Sequence, residues 1–137
     1  MAISRVSDAQ NFDFLALDAF NSDAIPMHLL TREAFGIYER HLKPDGLIAV
    51  HVSNRSLNLE PVVANLAREF HYHLVTVENS SPPDQPWIAS ATWMLLSRDE
   101  KLLDVPALRD TGRAPNTNGV SVPLWTDDFA GLFQILR

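Results

Sequence analysis

Asp18 and Asp23 follow directly on Phe12–Leu17, a run that is apolar except at Asp13. Two carboxylates in one loop can accept a proton and hold a cation through charge-assisted hydrogen bonds. A short apolar run ending in polar and turn residues reads as a strand buried on both faces. Open α/β sheets bind ligands at the carboxyl ends of their strands, so the two acids stand where a site belongs. Pro26 closes the loop, and a helical pattern follows. The competing reading is that Asp18 and Asp23 punctuate a strand-to-helix turn, a position that favours Asp anyway. Spacing alone does not separate the two.

Other chemistry-bearing residues are scattered. The five histidines are His28, His41, His51, His71 and His73. Only His71 and His73 lie close together, on one face of a strand. With no carboxylate beside them they do not read as a metal site. Ser53-Asn54 ends a second apolar run, where such residues meet a ligand or make an ordinary turn. Asp127-Asp128 after Thr126 read first as a helix N-cap group and second as negative potential near a cationic ligand.

Composition narrows the function classes. The chain has no cysteine, which excludes disulfides, cysteine-based zinc sites and thiol nucleophiles. That absence fits a reducing compartment, and the expected location is cytoplasmic. Net charge is −6 and no basic block is present, which argues against a nucleic-acid surface. Met1–Gln10 lacks the apolar core of a signal peptide. No apolar run reaches the ~20 residues of a membrane helix. The length of 137 residues implies a single domain, residues 1–137, with a genuine core.

The elements follow from periodicity. Leu30, Ala34, Ile37, Tyr38 and His41 fall at helical spacing, with Thr31 as N-cap and Glu33 in the first turn. Pro44-Asp45-Gly46 stops that helix near Lys43. Leu47–Val52 reads as a second buried strand. Leu59, Val62, Val63, Leu66, Ala67 and Phe70 make a second amphipathic helix, capped by Asn58, with Pro61 in its first turn. His73–Glu78 is a third strand, Asn79–Pro86 a loop rich in Ser and Pro, and Trp87–Ser97 a fourth strand. Leu102–Leu108 predicts a short helix, Val120–Trp125 an extended segment, and Phe129–Leu136 a last helical turn. Strands alternating with helices predict right-handed crossovers and a mostly parallel sheet. The last connection has no helix, which predicts an antiparallel fourth strand.

Together Asp18, Asp23 and Pro26, then Leu30-Thr31-Arg32-Glu33, then Leu42-Lys43-Pro44-Asp45-Gly46, resemble the spermidine synthase family. His28-Leu29-Leu30-Thr31, His51-Val52-Ser53-Asn54 and Trp125-Thr126-Asp127-Asp128 are similar to runs in its bacterial spermidine synthase-like members, some of which are fused to membrane domains. The likeness covers Phe12 to Ser97 and the closing segment. It implies aminopropyl transfer from decarboxylated S-adenosylmethionine to a diamine, putrescine giving spermidine, without a metal. It implies a Rossmann-like, doubly wound sheet of the class I methyltransferase type, of which this chain resembles the carboxyl-terminal half. By resemblance Asp18 is the catalytic acid that positions and deprotonates the amine, and Asp23 holds it. The loop here is longer than the family's Asp-x-x-Asp-Pro. Trp87 stands where the family often places an aromatic lining the diamine channel, and an ordinary core or rim tryptophan is the simpler reading. Pro26 stands near the adenine, or simply starts the helix.

No G-x-G-x-x-G or shorter equivalent is present, and Gly36, Gly46, Gly112, Gly119 and Gly131 are dispersed. Most of the family's nucleoside site therefore has no counterpart here. Competing readings are a methyltransferase-fold enzyme with another acceptor, and a non-catalytic domain binding a partner chain or a polyamine. A phosphoacceptor receiver domain ranks last, since its extra acidic pair and lysine are missing. The apolar first strand is expected to pair with a second copy in a homodimer, with a missing amino-terminal half, or with the amino-terminal segment.

Overall fold

The structure, a computed structural model, describes residues 8–19, 26–117 and 119–137. A five-stranded sheet in the order β1-β2-β4-β3-β5 carries the fold. The strands are β1 (Phe12–Leu17), β2 (Leu42–His51), β3 (His73–Asn79), β4 (Ala91–Ser97) and β5 (Gly112–Arg113). Helix α1 (Arg32–His41) joins β1 to β2, and α2 (Glu60–Glu69) joins β2 to β3. Two short helices, α3 (Glu100–Leu103) and α4 (Pro106–Thr111), lie between β4 and β5.

Helix α1 starts at the expected cap, Thr31, whereas the N-cap of α2 is Leu59, one residue after the expected Asn58. The Thr31 hydroxyl accepts from the Ala34 backbone N–H at 3.2 Å, and Glu33 lies in the first turn of α1, favourable against the helix dipole. Asn58 precedes α2, and its side-chain oxygen accepts from the Glu60 N–H at 3.3 Å, with Pro61 in the first turn. Helix α1 stops at His41 and β2 begins at once, passing through Pro44-Asp45-Gly46. The register with β1 jumps there: Phe12 faces Leu42, but Phe14 faces Leu47. A Cβ on Gly46 would stand 2.5 Å from Leu42 Cγ and 3.0 Å from the Lys43 carbonyl oxygen, so only glycine fits that crowded bend.

The mostly parallel, doubly wound Rossmann-like methyltransferase sheet expected from the sequence is not what forms. Only β1–β2 is parallel, whereas β2–β4, β3–β4 and β3–β5 are all antiparallel. The cause is the connection after β3. A parallel return needs a crossover of about a dozen residues, usually helical, and the stretch between β3 and β4 contains no helix. The chain therefore returns as an antiparallel β4. That strand inserts between β2 and β3 and keeps those two from pairing directly.

The strand β1 is also not buried on both faces. It is a sheet edge, and of its residues only Leu17 is buried. Phe14 is 54% exposed. The core lies instead around β2 and β4, where Ile48, Val50, Met94 and Leu96 pack with Phe35, Tyr38, Val62, Val63, Leu66 and Trp125. Phe35 meets Tyr38 edge-on, with ring centroids 5.2 Å apart. The closing segment completes this core. Its Trp125 carbonyl accepts from the Arg32 N–H at 2.9 Å, and the Asn58 N–H donates to Ile135 at 2.7 Å. The expected helical turn over Phe129–Leu136 reduces to a 3-10 turn at Phe133–Ile135. Among the described residues no helix is long and apolar enough to cross a membrane.

Candidate active site

The parallel pairing of β1 and β2 sets the site. Leu17 stands opposite Val50, so the next residues, Asp18 and His51, leave adjacent strand ends side by side. Their side chains meet, with Asp18 Oδ1 2.7 Å from His51 Nδ1. The antiparallel pairing on the other side of β2 sets Trp93 opposite His51. The two rings stack with centroids 4.8 Å apart and planes 21° apart. His51 is thereby fixed from two sides and its side chain is only 14% exposed, while Asp18 is 56% exposed. His51 Nε2 is buried and has no hydrogen-bond partner among the described residues.

A carboxylate only accepts, so with a neutral imidazole the proton sits on Nδ1 and the lone pair on Nε2. The pair can take up a proton and pass it along, the ordinary work of an aspartate-oriented histidine. Asp18 bonds His51 through Oδ1, and Oδ2 has no partner among the described residues. An acceptor oxygen thus remains free for a cationic or hydroxylic group.

Beside the pair lies a polar cleft of about 740 Å³ with His51 in its wall. Asn54 shapes one side by accepting from the N–H groups of Ser56 and Leu57 at 2.9 and 2.8 Å. Ser53 Oγ accepts from the Thr92 N–H at 2.7 Å. Glu78 also lines the cleft, but its carboxylate is bound by Arg113 at 2.9 Å. That hydrogen bond holds the Glu78 carboxyl below the usual carboxylate range. Arg113 reaches onward to buried Glu60 at 2.8 Å, which ties β5 to α2.

A second cleft, of about 670 Å³, contains Pro26. Met27, Ile37, Phe129 and Ala130 give it an apolar lining, and Glu33, Asp127 and Asp128 give it acids. Two of those acids are already engaged. Asp127 accepts from the Thr31 hydroxyl at 2.7 Å, and Glu33 accepts from the Asp127 N–H at 2.9 Å. Asp127 does not cap a helix of its own, as the sequence reading preferred. Thr126 and Phe129 instead bond each other in a tight turn, and Asp127 clasps the start of α1.

Of the residues singled out from sequence, Asp18 is in the paired site and Pro26 is in the second cleft. Asp23 lies outside the described residues. Trp87 is 76% exposed in the connection before β4 and lines neither cleft. His51 and Trp93 were not singled out. Asp18 and His51 follow Leu17 and its partner Val50, so they fall side by side only once β1 and β2 are paired, which spacing within either segment does not reveal. Among the described residues no three His, Asp or Glu side chains converge as metal ligands would.

No family model matches the chain, and a search of the curated proteins finds no similar sequence.

Proposed function

We propose that the chain carries the amine-binding, proton-accepting part of an aminopropyl-transfer site, working in the cytoplasm. The observation that supports this most is the Asp18–His51 hydrogen bond at the carboxyl ends of β1 and β2, with the outer Asp18 oxygen left free. The attacking amine must be neutral, and alkyl amines are protonated near neutral pH. The free Asp18 oxygen receives the ammonium, and the Asp18–His51 pair takes its proton. The amine nitrogen then bonds the propyl carbon of decarboxylated S-adenosylmethionine. The carbon–sulfur bond breaks, and its electron pair stays on sulfur, leaving methylthioadenosine. The expected acceptor is a diamine, putrescine yielding spermidine.

The chain has no glycine-rich turn for the nucleoside. On this reading the donor is held largely by chain outside the described residues or by a partner. The open edge of β1 is where such a partner strand would add, from a second copy or from a further segment. The same edge favours a second reading, a non-catalytic domain that binds a partner chain. The test is calorimetric titration with methylthioadenosine and with putrescine, followed by a transfer assay with the decarboxylated donor. Amine binding that is lost in Asp18→Asn supports the transfer site. Absence of binding by either ligand, with no transfer, removes it in favour of the partner-binding reading.

A further inference from the structure

We infer that Trp93 is a positioning residue for the proposed reaction: its indole holds the His51 ring in the plane that brings Nδ1 onto Asp18. The catalytic consequence rests on the proposed transfer, whereas the positioning itself does not.

The hydrogen bond alone leaves the ring loosely held. It is the side chain's sole polar contact among the described residues, since Nε2 has no partner there. One bond fixes an edge of an imidazole but not its plane, because χ2 of histidine is a broad torsion. The acceptor, Asp18, is more than half exposed, so water competes for the same carboxylate oxygen. The stack supplies the missing constraint. With centroids 4.8 Å apart and planes 21° apart, the indole lies nearly flat against the imidazole and resists rotation out of that plane. The stack sets the plane, and the hydrogen bond selects the edge that faces Asp18.

Trp93 is itself held still, and not in the service of the core. It lies on β4, the central strand of the sheet. It stands opposite His51 on β2 and Val77 on β3, and Val77 stands opposite Gly112 on β5. Directly opposed residues share a face, so one row crosses the sheet from His51 to Gly112, with Asp18 at its β1 end. Side chains alternate along a strand. Met94 and Leu96 enter the core, so Trp93 and Leu95 project from the opposite face. Neither Trp93 nor Leu95 packs against that core. The largest side chain of β4 is thus placed outside the core, against the one histidine that pairs with a carboxylate among the described residues.

Two readouts on the full chain test this: NMR of the His51 Nδ1–H proton, and transfer kinetics with the decarboxylated donor and putrescine. The Nδ1–H resonance is assigned by its loss in His51→Gln. Trp93→Phe keeps a flat ring in place. Trp93→Leu removes the stack and leaves the core face of β4 untouched, and Trp93→Val, with a side chain suited to a strand, is a second variant without it. Leu95→Ala, on the same face of β4, controls for general loosening. The resonance should be present in wild type, Trp93→Phe and Leu95→Ala, and lost to water exchange in Trp93→Leu and Trp93→Val. These last two should lower kcat by about tenfold or more. Their KM for putrescine should stay within about twofold of wild type, because Asp18 keeps its charge. Trp93→Phe should hold kcat within about threefold of wild type. A wild type without a protected Nδ1–H overturns the inference, as does a resonance that survives removal of the stack or is lost equally in Leu95→Ala. In an active enzyme, loss of the resonance with unchanged kcat, with or without a rise in KM, also overturns it. If the wild type performs no transfer, the proposed reaction falls, and a resonance lost only when the stack is removed still upholds Trp93 as the residue that positions the pair.

Discussion

His51 has a neighbour on each side, and each comes from a different strand pairing. Asp18 is delivered by the parallel partner β1 and Trp93 by the antiparallel partner β4. Substituting either member of the Asp18–His51 pair should therefore remove the same proton-accepting unit. In a transfer assay with the decarboxylated donor, Asp18→Asn and His51→Gln should each lower kcat by about 100-fold or more. The double variant should fall little further, because groups that act as one unit are not additive. A double variant whose loss is the product of the two single losses would show that the residues act separately. Asp18 was legible in the sequence because an acid following an apolar run is a local signal. His51 was not, because its importance arises from the strand beside it, and spacing within one segment does not reveal which strand that is. Trp93 was hidden for a related reason, being one apolar residue inside an apolar strand.

The strand β1 owes its importance to its position at the sheet edge. Its outer backbone groups are unpaired within the sheet, and Phe12 and Phe14 are exposed, a combination that invites another strand. The chain should self-associate at micromolar concentration, and Phe14→Glu should shift it towards monomer in sedimentation velocity. Monomeric wild-type protein at high concentration would sink the expectation of a homodimer through this edge. At the other end of the β1–β2 pairing, Gly46→Ala should cost roughly 1–3 kcal/mol in denaturant unfolding. The added carbon meets the Leu42 side chain and the Lys43 carbonyl, and Leu42 is buried and cannot swing freely. An unchanged midpoint would mean that the bend relaxes. The helices α1 and α2 were legible almost to the residue, because caps and 3.6-residue periodicity are local. The order of the strands was not, since the insertion of β4 between β2 and β3 depends on which edges the other connections leave open. The closing helix failed for want of a surface to cover. Phe133 points into solvent, and Gly131 weakens helix in that stretch, so only a 3-10 turn survives.

Across the whole molecule, titratable groups sit where pH can reach the fold from both sides. On the acid side, Arg113 holds Glu78 below its ordinary value while it also bonds buried Glu60. Stability from Glu78 is present above the unfolded value and lost as pH falls through the lower folded one. The alkaline side is controlled by burial. Tyr38 is fully buried and donates its hydroxyl to the Leu29 carbonyl at 2.9 Å. Burial raises its ionisation well above the ordinary value of 10.0. Tyr72 is raised in the same direction, by burial first, with nearby Arg98 opposing. For a group raised in the folded state, stability is complete below the unfolded value and is lost as pH climbs towards the folded one. Unfolding midpoints should therefore decline above pH ~10, as the unfolded chain releases phenolic protons that the folded chain retains. Tyr38→Phe separates this effect from simple loss of packing. At neutral pH it should cost about 1 kcal/mol, the worth of one hydrogen bond, because the ring still fills its place against Phe35. Above that threshold the variant should lose stability more slowly than wild type, with Tyr72 supplying the remaining slope. Guanidinium unfolding on either side of the threshold measures both effects. Parallel declines in the two proteins would show that Tyr38 ionises in the folded state as readily as in the unfolded one, and that its burial does not couple the core to pH.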